Sequence, residues 1–216
     1  MKIIKKQRAA VLFTGGKDSC LALYKAEKEF KVDYLLSLIP KEDSWMFHRP
    51  NEKLLRKQAE LLNKELLVDY SDREKEFELE DLKLLIDKVK DEIEVLVVGG
   101  IASNYQSERI KKIAALFGLE VYAPLWTYTS EKLWQELFEL GFKVILVKIA
   151  AEGISREFLG KIIDKKMLEE LKRRGKKYGF SLDFEGGDAE TAVSVSYTHL
   201  RAHETSLHLV CRLLLE

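Results

Sequence analysis

The apolar run Ala9-Ala10-Val11-Leu12-Phe13 leads straight into Thr14-Gly15-Gly16-Lys17-Asp18-Ser19, and an amphipathic segment follows through Cys20-Leu21-Ala22-Leu23-Tyr24. This pattern predicts a buried strand, a glycine turn and a helix opening at Asp18. Such a turn bares backbone N–H groups at a helix N-terminus, where unsatisfied donors and the helix dipole favour an anion. Adjacent glycines permit positive φ and close approach of a phosphate to the backbone. Lys17 adds a point charge on a flexible stem. A Gly-Gly pair alone would be an ordinary strand-to-helix turn. Lys, Asp and Ser in this order after a strand make it a phosphate-binding loop. The loop is not a Walker A sequence, because Asp18 follows Gly16-Lys17 and Val11 stands where the first glycine of that pattern would be.

The far end is set aside before the fold is considered. From about Val195 to Glu216 the chain reads as translated sequencing adapter, with Ser206-Leu207-His208 as its variable index. His199 and His203 lie four apart, as ligands on one helical face would, with His208 and Cys211 beyond. Adapter origin explains the same residues without a zinc site. Residues 1–194 are therefore expected to form one domain whose native C-terminal end is missing, with 195–216 a non-native tail.

Formal charge is balanced, 36 Lys+Arg against 36 Asp+Glu, so no nucleic-acid partner or membrane surface is implied. Charged runs such as Asp72–Glu76 and Lys172–Lys177 read as solvated helix faces. Cys20 is the only cysteine before the tail, which excludes a disulfide framework and suits a reducing compartment. No stretch approaches the length of an apolar membrane span, and Met1–Lys6 lacks the apolar centre of a signal peptide. A cytoplasmic location is expected.

Strands are predicted at Ala9–Phe13, Asp33–Ile39, Lys64–Val68, Val95–Gly99, Glu120–Ala123 and Lys143–Ile149. Helices are predicted at Asp18–Lys28, Asn51–Leu62, Glu76–Lys90, Tyr105–Phe117, Ser130–Leu140 and Lys165–Tyr178. Gly118 and Gly141 sit where helices stop. This alternation predicts an α/β fold, a doubly wound parallel sheet with helices on both faces. Ligands of such folds bind beyond the carboxyl ends of the strands. The motifs obey that rule. Thr14–Ser19 follows the first strand and Ser44–Asn51 the second, Gly99–Gln106 follows the fourth, and Pro124-Leu125-Trp126 the fifth.

Individually these residues carry bland readings as well. Gly99-Gly100 is equally a tight strand exit. His48 alone is a structural histidine as readily as a proton carrier. Arg109, one turn after Tyr105, faces either solvent or a phosphate or carboxylate. Trp126 is by default a core or interface aromatic.

Thr14–Ser19 resembles the PP-loop, Ser-Gly-Gly-Lys-Asp-Ser, of the N-type ATP pyrophosphatases, with Thr14 keeping the hydroxyl of the first Ser. Gly100-Ile101-Ala102-Ser103-Asn104-Tyr105-Gln106 with Arg109 is similar to the diphthine–ammonia ligase family. So are Met46-Phe47-His48, Ala123-Pro124-Leu125-Trp126 and Val147–Ile154 with Leu159-Gly160. Phe184-Glu185-Gly186-Gly187-Asp188-Ala189-Glu190-Thr191 resembles that family's Glu-Gly-Gly-Glu-x-Glu-Thr signature, with Asp188 in place of a glutamate.

The resemblance implies a HUP-like fold and ATP-dependent amidation of diphthine on translation elongation factor two. An acyl-adenylate would form, pyrophosphate and then AMP would leave, and ammonium would supply the nitrogen. It implies nucleotide contacts at Thr14, Gly15, Gly16, Lys17, Asp18, Ser19, Gly99, Gly100 and Ser103. Substrate contacts are implied at His48, Asn51, Tyr105, Arg109, Glu185, Gly186, Gly187, Asp188 and Thr191, and catalytic roles at Lys17, Asp18 and Glu190. Magnesium is expected with ATP, with Asp18, Asp188 and Glu190 as unranked candidates to meet it. Glu185 and Glu190 would otherwise orient ammonia or diphthine, and Glu190 is also readable as a structural acceptor. A homo-oligomer stays open. So do three other readings: a tRNA-thiolating relative, which Cys20 alone argues against, another amide-forming PP-loop enzyme, and a non-catalytic AMP-binding module.

Overall fold

The computed structural model describes residues 6–40, 51–71, 78–100, 104–184 and 187–195, with the backbone alone at 104–107 and 195. Five strands form one parallel sheet: β1 (Arg8–Leu12), β2 (Lys31–Pro40), β3 (Glu65–Ser71), β4 (Val95–Val97) and β5 (Glu120–Tyr122), in the order β3-β2-β1-β4-β5. The order reverses between β1 and β4, so the crevice at their carboxyl ends is the switch point where such sheets hold ligands.

Helices cover both faces, as predicted. They are α1 (Lys17–Glu29), α2 (Glu52–Leu62), α3 (Glu78–Asp87), α4 (Asn104–Leu116), α5 (Ser130–Glu139) and α6 (Lys165–Tyr178). The strands show why. Ala9, Val11, Leu35, Val95 and Val97 join the core on the α1 side, while Ala10, Leu36 and Leu96 join the core of α3 and α4. Strands buried on both faces read as continuous apolar runs rather than alternating ones. Helices end before Gly118 and Gly141 as expected, and the helix expected to reach Lys90 ends at Asp87, with a 3-10 turn at Lys90–Glu92 after it.

The sixth strand departs from expectation. Lys143–Ile149 is a strand with the predicted bounds, β6, but it lies outside the parallel sheet. It pairs antiparallel with β7 (Ala189–Val195) in a separate two-stranded sheet. The acidic signature is therefore strand from Ala189 onward. Val144, Leu146, Ala189 and Val193 share one core with α1 and α5, and Ala192 packs with Leu54 of α2 and with Ile145. This second sheet is thus fixed against the helices that carry the phosphate loop.

Candidate functional site

Gly15 leaves β1 with φ +72°, a left-handed conformation that side chains rarely adopt. Gly16 is the N-cap of α1 and offers no side-chain cap. The capping acceptor comes instead from the other end of the chain: Lys17 N donates to Thr191 Oγ1 at 3.2 Å. The N–H groups of Asp18 and Ser19 have no acceptor among the described residues, so the first turn of α1 keeps the anion-binding character that the sequence suggests.

Ser19 works inside the loop. Its buried hydroxyl donates to Gly16 O at 3.2 Å and accepts from Thr14 N at 3.2 Å. Thr14 Oγ1 lies 3.2 Å from the same oxygen, so the two hydroxyls share a hydrogen bond. Gly99 follows β4 and packs on the backbone of α1, where an added Cβ would lie 2.9 Å from Ser19 Cα and N. A Cβ on Gly100 would meet nothing within 4 Å among the described residues.

Lys17 is only 2% exposed. Its ammonium donates to Asp18 Oδ2 at 2.8 Å and to the carbonyl of Asp183, and it lies 5.6 Å from the centre of the Phe184 ring. Phe184 itself has φ +59°, uncommon for a bulky residue. The other Asp18 oxygen, Oδ1, is shielded from solvent and has no hydrogen-bond partner among the described residues.

The acidic signature is therefore joined to the phosphate loop at both ends, through Asp183 and Phe184 where it begins and Thr191 and Val193 where it closes. Val193 N donates to Gly15 O at 3.0 Å. Within the signature, Asp188 Oδ2 accepts from Ser181 N at 3.3 Å and Asp188 O accepts from Ala150 N and Ala151 N. Gly187 has φ +88°. Glu190 is 14% exposed at its side chain, and Lys148 Nζ donates to it across the strand pair at 3.1 Å.

Asn51 caps α2, accepting from Leu54 N at 3.2 Å. Tyr105 lies in the first turn of α4 and Arg109 one turn later, half-buried. Trp126 carries Lys111 Nζ over its ring at 5.7 Å. His48, Ser103, Glu185 and Gly186 lie outside the described residues.

Gln58, Asp183 and Val193 also touch the loop and belong to none of the sequence motifs. Gln58 had a readable signal, a lone amide on the buried face of α2 beside Leu54, Leu55 and Ala59. Contacts through Asp183 O and Val193 N are backbone contacts and leave no mark on residue type.

Cys20 is buried in α1, and burial, with Asp18 nearby, pushes its thiol up and away from the thiolate. That chemistry does not suit sulfur transfer. Among the described residues no cluster of three metal-ligating side chains occurs, and no helix is long and apolar enough to cross a membrane.

Comparison with known proteins agrees with this geometry. The family model for the diphthamide synthase N-terminal domain matches residues 7–121, and that for the diphthamide synthase C-terminal domain matches residues 129–197. A Bos taurus protein named diphthine–ammonia ligase is 32% identical over 208 residues, covering 85% of this chain and 77% of its own length. The Homo sapiens protein of that name is 31% identical over 209 residues, with the same two coverages of 85% and 77%. The Schizosaccharomyces pombe one is 32% identical over 203 residues, and there this chain spans 33% of the relative's length. With both halves matched in order and the signature seated on the phosphate loop, the chain belongs to the diphthamide synthase family.

Proposed function

We propose that this chain is a diphthine–ammonia ligase, using ATP to activate the diphthine carboxylate of translation elongation factor two and ammonia to convert it to the amide. One observation carries this reading. The phosphate loop and the acidic signature are held together at both ends, through Lys17 to Asp183 O, Lys17 N to Thr191 and Gly15 O to Val193. A carboxylate presented by the signature would thus lie beside the nucleotide's phosphates.

Adenylation brings one anion onto another. Catalysis then rests on positioning and on donors aimed at the developing charge. The free N–H groups of Asp18 and Ser19 suit the departing pyrophosphate, with Gly15 and Gly16 allowing its close approach. Lys17 would exchange its carbonyl partner for a phosphate oxygen. Magnesium, where bound with ATP, neutralises phosphate charge. Asp18 Oδ1 fits it, being a hard oxygen without a hydrogen-bond partner among the described residues. Phosphate oxygens and water would complete its shell. Asp188 and Glu190 already have Ser181 and Lys148 as partners, which favours a role in shaping the signature and orienting substrate over metal binding. A substrate that works in translation would put the enzyme in the cytoplasm.

The test is AMP release from Mg-ATP and ammonium, with and without elongation factor two bearing diphthine. AMP appearing only with the diphthine form is the expected result. AMP release that ignores diphthine would point to another amide-forming or hydrolytic PP-loop enzyme. Nucleotide binding without turnover on any carboxylate would support the AMP-binding module.

A further inference from the structure

Gln58 of α2 is 6% exposed and touches the phosphate loop without belonging to its motif. Its Nε2 donates to Gly15 O at 3.0 Å and to Val193 O at 2.9 Å. Gly15 O also accepts from Val193 N at 3.0 Å, so two donors hold this one carbonyl. The amide cannot be turned over, because its oxygen would then face two carbonyl oxygens. In the observed orientation Oε1 has no hydrogen-bond partner among the described residues and lies against Gly15, 2.1 Å from where a Cβ would stand.

A consequence follows for the next peptide. In a trans peptide the carbonyl of one residue and the N–H of the next point in opposite directions, and no cis bond occurs among the described residues. Holding Gly15 O toward Gln58 and β7 therefore aims the Gly16 N–H the other way. No acceptor for that N–H is found among the described residues. A free Gly15–Gly16 peptide could rotate, since Gly15 lacks the side chain that would restrict it. Donors preorganised at their angle bind an anion better than donors that must be turned on binding.

We infer that Gln58 is a positioning residue for the pyrophosphate of ATP, setting the direction of the Gly16 N–H by pinning the Gly15 carbonyl. This rests on the reading of Thr14–Ser19 as the pyrophosphate loop, and it is independent of which carboxylate is activated. Gln58 touches no phosphate. It acts through one peptide plane, and through Val193 it makes that plane depend on β7.

The experiment is calorimetric titration of magnesium and inorganic pyrophosphate into the full chain, and into Gln58→Met and Gln58→Glu, with melting temperature measured alongside. Gln58→Met keeps the length and removes both Nε2 hydrogen bonds, leaving Val193 N as the one donor to Gly15 O. Gln58→Glu keeps the shape and sets a carboxyl group against two carbonyl oxygens, and it decides the matter should Gln58→Met fail to fold. The expected result is pyrophosphate affinity weakened about tenfold or more in the folded variants, the equivalent of losing one well-made hydrogen bond. A residue that merely ties α2 to β7 would lower the melting temperature and leave the affinity of the folded protein unchanged. That outcome overturns the inference alone. Failure of the unsubstituted chain to bind pyrophosphate overturns the loop reading, and this inference with it.

Discussion

Gly99 and Gly100 stand side by side in the sequence and are separated by what surrounds them. A methyl group on Gly99 would fall 2.9 Å from Ser19 Cα and N, which are helix backbone and cannot turn aside. On Gly100 it would meet nothing within 4 Å among the described residues. Gly99→Ala should therefore push the exit of β4 off α1, costing about 1–3 kcal/mol as overpacking does and weakening nucleotide binding. Gly100→Ala should stay within about 0.5 kcal/mol of the unsubstituted protein. Thermal melts with ATP titration check both, and equal effects at the two positions would sink the distinction. At this scale the loop itself was legible, because Gly15, Gly16, Lys17 and Ser19 occur in a recognisable order. The partners that complete it were not. Thr191 caps Lys17 N from 174 residues away, and sequence spacing carries no information at that range. Asn51 shows a local cue that is legible: Asn directly before an amphipathic run is a helix cap, and its side chain accepts from Leu54 N.

Elements were legible where the apolar period was long. The helices and the parallel strands appeared in order because strands buried on both faces give unbroken apolar runs. β7 did not, because Ala189 and Val193 join the core as small or branched residues within a stretch dominated by its acidic motif. Its Thr and Val content was the available signal. The tie between α1 and α5 was also hidden. Lys25 Nζ donates to Glu136 Oε1 at 2.6 Å and Tyr128 OH to Oε2 at 2.8 Å. Burial alone would raise the Glu136 carboxyl, but the hydrogen bonds from Lys25 and Tyr128 outweigh it and hold the group below its ordinary range. Burial would lower Lys25, and the hydrogen bond to Glu136 outweighs that and raises it. A depressed carboxyl contributes stability that is full above its unfolded value and is lost as pH falls through the folded value. A raised lysine contributes below its own unfolded value and loses that contribution as pH rises through the folded one. Both contributions are therefore present at neutral pH. Glu136→Gln should cost about 1–2 kcal/mol there, and its melting temperature should fall less steeply than the parent's from about pH 5 to about pH 3. Parallel curves would show that Glu136 is not coupled to folding.

Across the whole molecule the two halves meet at Lys17, and the support for that meeting comes from the buried core of the second half. Trp134 of α5 is 1% exposed. Its Nε1 donates to Leu182 O at 2.8 Å, and its ring meets Phe184 edge to face, 6.3 Å between centres at 81°. Leu182 and Phe184 flank Asp183, whose carbonyl accepts from the Lys17 ammonium. A single indole thus fixes both neighbours of the residue that holds the loop lysine, and Phe184 is kept at an uncommon positive φ while doing so. Trp134→Phe removes the donor, leaves the Leu182 carbonyl buried without it, and opens a small void. The combined cost should be about 2–4 kcal/mol, a fall of several degrees in melting temperature for a chain of this size. ATP affinity should weaken as well, because the backbone from Leu182 to Phe184 would no longer hold Lys17 at one place. Titrating ATP below the melting transition separates the two effects. Weaker binding by the fully folded variant means that α5 positions the loop through this carbonyl. Unchanged binding at a lowered melting temperature would confine Trp134 to packing, and the Asp183–Phe184 backbone would then owe its position to the β6–β7 sheet instead.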